Sequence, residues 1–219
     1  MQTINCAICG RELKSYKWTM NDKNDLVRAC LDCSLCREIE IKNTLMIPEL
    51  FRDAEIKHLS KTLQGKINSL PPDRGLLLWG EAGIGKSYAM AAIMKELIRK
   101  NPNTKIIRIA YEMICLKLRD TYKQGSKKTE LDIIEPLIDV DKLFIEDVGT
   151  TVSVGQQESD FSLRTFLVLL DSRLEQCKQT FITTNKSVEE LSKSFDSRIA
   201  GRLKQMCEVI CLKGKDKRS

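Results

Sequence analysis

Short apolar runs alternate with segments of helical period along most of the chain. GLLLW, Gly75 to Trp79, has the length and apolar density of a buried strand. SYAMAAIMKELIRK, from Ser87, predicts a helix stopped at Asn101 and Pro102. KIIRIA, Lys105 to Ala110, predicts a second strand, and YEMICLKLRDTYKQ a helix after it, with Gly125 to Lys128 as a loop. KLFIED, Lys142 to Asp147, predicts a strand ending in two acids. FSLRTFLVLLDSRLEQC predicts a helix with one apolar face, and QTFITTN, Gln179 to Asn185, another strand. Two short helices and a last strand, CEVICL, complete the pattern. Strands separated by helices imply an α/β fold, a parallel sheet covered on both faces.

The first forty residues break this pattern. Cys6, Cys9, Cys30, Cys33 and Cys36 gather there, whereas Cys115, Cys177, Cys207 and Cys211 are scattered, the last two being the one later pair with any metal-like spacing. The chain therefore divides into a cysteine module over 1–40, a linker and helical segment over 41–70, and a larger body over 71–219. The join falls near the charged stretch Arg37 to Thr44.

Composition narrows the class. The chain has 219 residues, 42% hydrophobic and 30% charged, with net charge +6. That suits one α/β domain with a small appendage. The mild positive excess allows a nucleic-acid partner without requiring one. No apolar run approaches the roughly 18 residues that cross a bilayer, and MQTINCAICG lacks a basic and then apolar signal segment. The expectation is a cytoplasmic protein with no membrane partner. In that reducing compartment nine cysteines point to metal rather than disulfides.

Cys6-x2-Cys9 and Cys30-x2-Cys33 form two knuckles of the kind that bind zinc, since four thiolates suit tetrahedral Zn²⁺. So short a module buries little core, and the metal would supply its folding energy. The alternative is a set of buried free thiols. Cys36 is a fifth candidate, and the sole histidine, His58, lies outside the cluster. Tyr16 and Trp18, with Lys14 and Lys17, form a contact surface or merely cover the metal.

Gly80, Glu81, Ala82, Gly83, Ile84, Gly85, Lys86 and Ser87 meet the G-x-x-x-x-G-K-[ST] pattern, with Tyr88 next in line. Glycines let backbone N–H groups turn inward around phosphates, and the following helix aims its positive end at them. Lys86 can reach the β- and γ-phosphates, and the Ser87 hydroxyl can ligate Mg²⁺. Strand, loop and helix stand in the order this reading requires, which makes ATP the expected cofactor.

The strand ending at Glu146 and Asp147 would bring those acids beside the loop, one to hold Mg²⁺ and the other to orient or deprotonate a water. Solvated acids at a strand end are the plain alternative. Asn185, after Thr183 and Thr184, can hydrogen-bond the attacking water or γ-phosphate, or simply end its strand. Arg198 and Arg202 lie four apart, on one helix face. They suit either a salt-bridge face or an arginine presented to a neighbour's nucleotide.

GEAGIGKS, LFIEDVG, FITTN and RIAGRL, in that order, resemble the AAA+ ATPases of the DnaC/DnaI helicase-loader family. IPELFRDAEIKHL, Ile47 to Leu59, resembles the segment before that family's core, so the likeness runs from about 45 to 219. It implies an AAA+ fold, with Glu146 and Asp147 as Walker B, Asn185 as sensor 1 and Arg202 as an arginine finger serving another subunit. It also implies ATP-dependent loading of a hexameric replicative helicase onto single-stranded DNA. In related initiator-type ATPases the region of Lys117, Arg119, Lys123, Lys127 and Lys128 carries that DNA. The basic tail, Lys213 to Arg218, is a second DNA candidate, and Arg218 a stand-in for an arginine of the lid domain, which is not expected here. IstB-type transposition helpers share these motifs, but the cysteine module is more like DnaI-type loaders. One departure is the acid order, Glu146 before Asp147, where the family usually has Asp first. That order also fits a zinc-dependent adaptor that binds ATP and scarcely hydrolyses it.

Overall fold

The computed structural model describes residues 5–8, 10–13, 17–21, 26–29, 43, 46–149, 160–194, 197–214 and 216. Near the N-terminus, β1 (Lys17–Met20) and β2 (Leu26–Ala29) pair antiparallel. The body then runs α1 (Lys61–Asn68), β3 (Gly75–Trp79), α2 (Lys86–Lys100), β4 (Ile106–Ala110), α3 (Tyr111–Thr121), α4 (Glu130–Asp139), β5 (Lys142–Glu146), α5 (Asp160–Glu175), β6 (Thr180–Thr184), α6 (Val188–Ser194), α7 (Ser197–Met206) and β7 (Cys207–Cys211).

Five of these strands form one parallel sheet in the order β4-β5-β6-β3-β7. This is the parallel α/β sheet that the sequence pattern implies, and the AAA+ arrangement that the resemblance implies. Strand alternation assigns each residue to one of two cores. Leu77, Ile145 and Ile182 point to the face covered by α3, α4, α5 and α7. Leu76, Leu78, Phe144 and Phe181 point to the other face, against α2 and α1. Phe144 and Phe181 stack there, with ring centroids 4.5 Å apart. Both faces being covered explains why GLLLW is continuously apolar rather than alternating.

The strand bounds agree with the sequence reading to within a residue or two. The helix after β4 stops at Thr121, three residues earlier than its pattern predicts. A helix the pattern did not predict, α4, starts at a capping box: the Thr129 side chain accepts from Asp132 N–H while Asp132 accepts from Thr129 N–H. Pro136 lies inside it, which disguises the helical signal.

Arg173 of α5 is fully buried. Its guanidinium donates to the carbonyls of Leu137, Ile138, Val140 and Gln179 and to the Thr180 hydroxyl. Burial pushes it down to about 10, so it stays charged at neutral pH. Carbonyls orphaned at the end of α4 are thereby satisfied, and the helix is tied to β6. Upstream, Asn43 is buried and bridges the edge strand: its side chain donates to Thr104 C=O and accepts from Ile106 N–H. Met46, Ile47, Ile56 and Leu59 then pack on the second core. Among the described residues, no helix is long and apolar enough to cross a membrane.

Candidate functional site

Three neighbouring strands end at one edge of the sheet. β3 leads into the Gly80–Ser87 loop, β5 ends on Glu146, and β6 runs out to Asn185. The register pairs Trp79 with Thr184, so Gly80 and Asn185 are the next residues along adjacent strands. The phosphate loop, the acids and the polar strand end are thus brought together by parallel pairing alone.

Gly83 and Gly85 hold φ of 79° and 100°, a left-handed backbone that side-chain-bearing residues avoid. Such turns direct successive N–H groups inward, and Gly85 caps α2 without a side-chain acceptor. The Lys86 side chain is buried and curls over the loop, donating to Gly80 C=O (2.7 Å) and Glu81 C=O (2.8 Å). A glycine nest, a helix N-terminus and a buried lysine are the donor set that phosphates require. The residues present fit a nucleoside triphosphate.

Glu146 is buried, and Arg108 of β4 grips both its oxygens, Nε to Oε1 at 2.8 Å and Nη2 to Oε2 at 2.6 Å. The two residues share a sheet face because Ala110, two positions after Arg108, pairs with Glu146. Burial pushes the Glu146 carboxyl above its ordinary range, and Arg108 pulls part of that back. Ser87 and Glu146 are oxygen donors of the type magnesium takes. Glu146, however, must share its oxygens between Arg108 and any metal. Arg108 escaped the sequence reading, although an arginine in the apolar run KIIRIA was a signal.

Asp147 has φ of 57° and an exposed side chain. Its N–H donates to the Thr183 hydroxyl (3.0 Å), and Val148 N–H to Thr183 C=O (2.9 Å). The Thr184 hydroxyl donates to Val148 C=O (2.7 Å). Thr183 and Thr184 therefore brace the acidic turn, leaving Asn185 exposed beyond the strand. Before the loop, His58 Nδ1 is 2.8 Å from the Tyr88 hydroxyl, and Phe51 meets the Tyr88 ring edge-on.

Other candidates stand apart from this edge. Arg198 and Arg202 lie on α7, whose Ile199, Ala200, Leu203 and Met206 are buried. Arg202 is paired with Asp171 of α5. Lys117, Arg119, Lys123, Lys127 and Lys128 are all exposed on α3 and the loop after it. Arg119 is 3.1 Å from Glu112 and Lys123 is 2.5 Å from Asp120, so the surface is less uniformly basic than its composition implied. Exposed Met113, Leu116 and Tyr122 are interleaved with it. Cys207 and Cys211 sit at opposite ends of β7, about 13 Å apart at strand rise, too far to share an ion.

Of the zinc candidates, Cys6 alone is described; Cys9, Cys30, Cys33 and Cys36 lie outside the described residues, as do Lys14, Tyr16 and Arg218. Cys6 is buried in a tight turn. Its Sγ lies 3.4 Å from Ile8 N, its N–H donates to Arg11 C=O, and its C=O accepts from Gly10 N–H.

The model of the bacterial DnaA ATPase domain family matches residues 56–209. The replicative helicase loader DnaC of Escherichia coli K12 is 25% identical over 72% of this chain, and the match spans 66% of that protein's length. The crystal structure of DnaI superposes with TM-score 0.62 at 20% identity, covering 81% of this chain and all of that one. The replication initiator DnaA bound to AMPPCP and single-stranded DNA superposes with TM-score 0.60 at 13% identity, covering 77% of this chain and 52% of that one.

Proposed function

Because the chain belongs to the bacterial DnaA ATPase domain family, we propose that it is an ATPase that loads a hexameric replicative helicase onto single-stranded DNA. The observation that carries this reading is the shared sheet edge of Gly80–Ser87, Glu146–Asp147 and Asn185, on a chain similar over most of its length to a helicase loader.

In this reading the loop N–H groups and Lys86 hold the β- and γ-phosphates. Ser87 and Glu146 would hold magnesium, which when bound would neutralise phosphate charge. Asp147 orients the attacking water, and Asn185 hydrogen-bonds that water or the γ-phosphate. Arg202 leaves Asp171 and reaches a neighbouring subunit's nucleotide, which requires head-to-tail self-association. The basic residues of α3 and its loop neutralise DNA phosphates, and exposed Tyr122 offers a stacking face. Cys6, Cys9, Cys30 and Cys33 would hold zinc; the amide of Ile8 facing Cys6 Sγ supports this, because such a contact stabilises a thiolate ligand. We place the protein in the cytoplasm.

The Arg108 grip on Glu146 favours a second reading, an adaptor that binds ATP and turns it over slowly. Gel filtration of the purified protein with its host's replicative helicase and ATP tests the main one. Co-elution supports it. Failure to bind helicase, with capture of a transposase instead, would replace it with the transposition-helper function.

A further inference from the structure

The residues after β7 run along the phosphate loop. Leu212 N–H donates to Trp79 C=O at 2.8 Å, carrying the β3–β7 pairing one residue past the strand. A Cβ on Gly80 would stand only 2.5 Å from the Leu212 carbonyl oxygen. Gly214 comes next to the loop, where a side-chain carbon would lie 3.3 Å from Ile84 Cδ1. Two residues later the carboxylate of Asp216 lies against Gly83, and a Cβ on Gly83 would overlap its carboxyl carbon and both oxygens.

The identity of the group at Gly83 matters more than its proximity. From Lys213 to Arg218 the sequence reads KGKDKR, and Asp216 is its one acid. This acid meets the turn whose N–H groups and helix N-terminus attract anions. Gly83 lacks the side chain that would keep the carboxylate out, and its φ of 79° disfavours any residue that had one.

We propose that Asp216 is a tethered occupant of the phosphate loop, which nucleotide must displace to bind. The proposal rests on reading Gly80–Ser87 as the nucleotide site. A triphosphate and a carboxylate cannot share one anion cradle, because they would overlap in space and like charges at contact repel. The tether gives the carboxylate a high effective concentration. A triphosphate, with several charges and the Lys86 contact, still wins, but its apparent affinity falls by the fraction of chains whose loop is open. Nucleotide binding thereby becomes coupled to release of a basic segment.

Calorimetric titration of the full chain with ATP and Mg²⁺ tests this, using wild type, Asp216→Asn, Asp216→Glu and Lys86→Ala. Asp216→Asn should bind about 3- to 10-fold more tightly than wild type. Asp216→Glu should stay near wild type, and Lys86→Ala should lose binding. Equal or weaker binding by Asp216→Asn, beside a competent wild type and a defective Lys86→Ala, overturns the proposal and leaves the nucleotide site standing. If wild type and Asp216→Asn both fail to bind, the site reading and the proposal fall together. Trypsin reads the position of the segment: ATP should speed cleavage after Lys213 in wild type. Protection by ATP would contradict release.

Discussion

Arg108 holds Glu146 through both carboxylate oxygens, at 2.8 and 2.6 Å, from the strand next to it. Glu146 is the acid that the site reading assigns to magnesium. An ion pair with one partner this buried costs desolvation, and removing its arginine strands the carboxylate.

Arg108→Ala should therefore destabilise the fold by about 1–3 kcal/mol, and adding Glu146→Gln should recover part of that loss. The pH dependence has a definite sign. Burial already raises Glu146, and loss of Arg108 leaves only raising influences, burial and neighbouring Asp147. A carboxylate whose folded pKa lies above its unfolded value binds more protons when folded, so stability falls as pH rises through that window. The penalty of Arg108→Ala should be smaller at pH 5 than at pH 7.5. Urea unfolding at both values measures it; a pH-independent penalty would assign the effect to packing.

The cysteine module should carry about one zinc per chain, measured by elemental analysis. Cys6→Ser and Cys9→Ser should each lose it, and Cys36→Ser should keep it. A metal-free module that still resists proteolysis would contradict the assignment.

Replacing Lys123, Lys127 and Lys128 by alanine should weaken single-stranded DNA binding and flatten its salt dependence, each lost phosphate contact lowering the slope by about 0.7. Fluorescence anisotropy at several salt concentrations reads both. Because Lys123 is paired with Asp120 at 2.5 Å, Lys127 and Lys128 should account for most of the change. Unchanged affinity would move the contact to the basic residues near Lys213.

The parallel sheet was legible because strands covered on both faces read as unbroken apolar runs. The strand–loop–helix turn at Gly80–Ser87 was legible because its glycines stand where a left-handed backbone needs them. What escaped shares a different cause. Arg108 and Arg173 act through partners 38 and as many as 36 residues away, and periodicity assigns a face without naming what lies across it. Helix α4 was hidden by Pro136, although Thr129 and Asp132 stood at capping-box spacing. The approach of Asp216 to Gly83 depends on β7 pairing beside β3, which no local pattern around Asp216 encodes.

Arg202 tests the assembly. Its Nε pairs with Asp171 of the same chain while the side chain stays partly exposed. Arg202→Ala should bind ATP normally but lose activity stimulated by DNA or helicase, by up to about 10³-fold for a true arginine finger. Mixing Arg202→Ala with Lys86→Ala should restore part of that activity, since one supplies intact nucleotide sites and the other intact fingers. A mixture as inactive as either variant would make Arg202 structural.

Loading itself is the most direct measurement. Closed circular single-stranded DNA has no end for a hexameric ring to thread, so a helicase reaches it only if the ring is opened or assembled around it. Helicase retained on such circles after a high-salt wash should rise at least about tenfold when this protein and ATP are both present, and Lys86→Ala should abolish the gain, since it removes a charge-assisted phosphate contact worth about 1.5–3 kcal/mol. Equal retention with and without the protein, under conditions where it binds ATP and the helicase, would contradict the loader function.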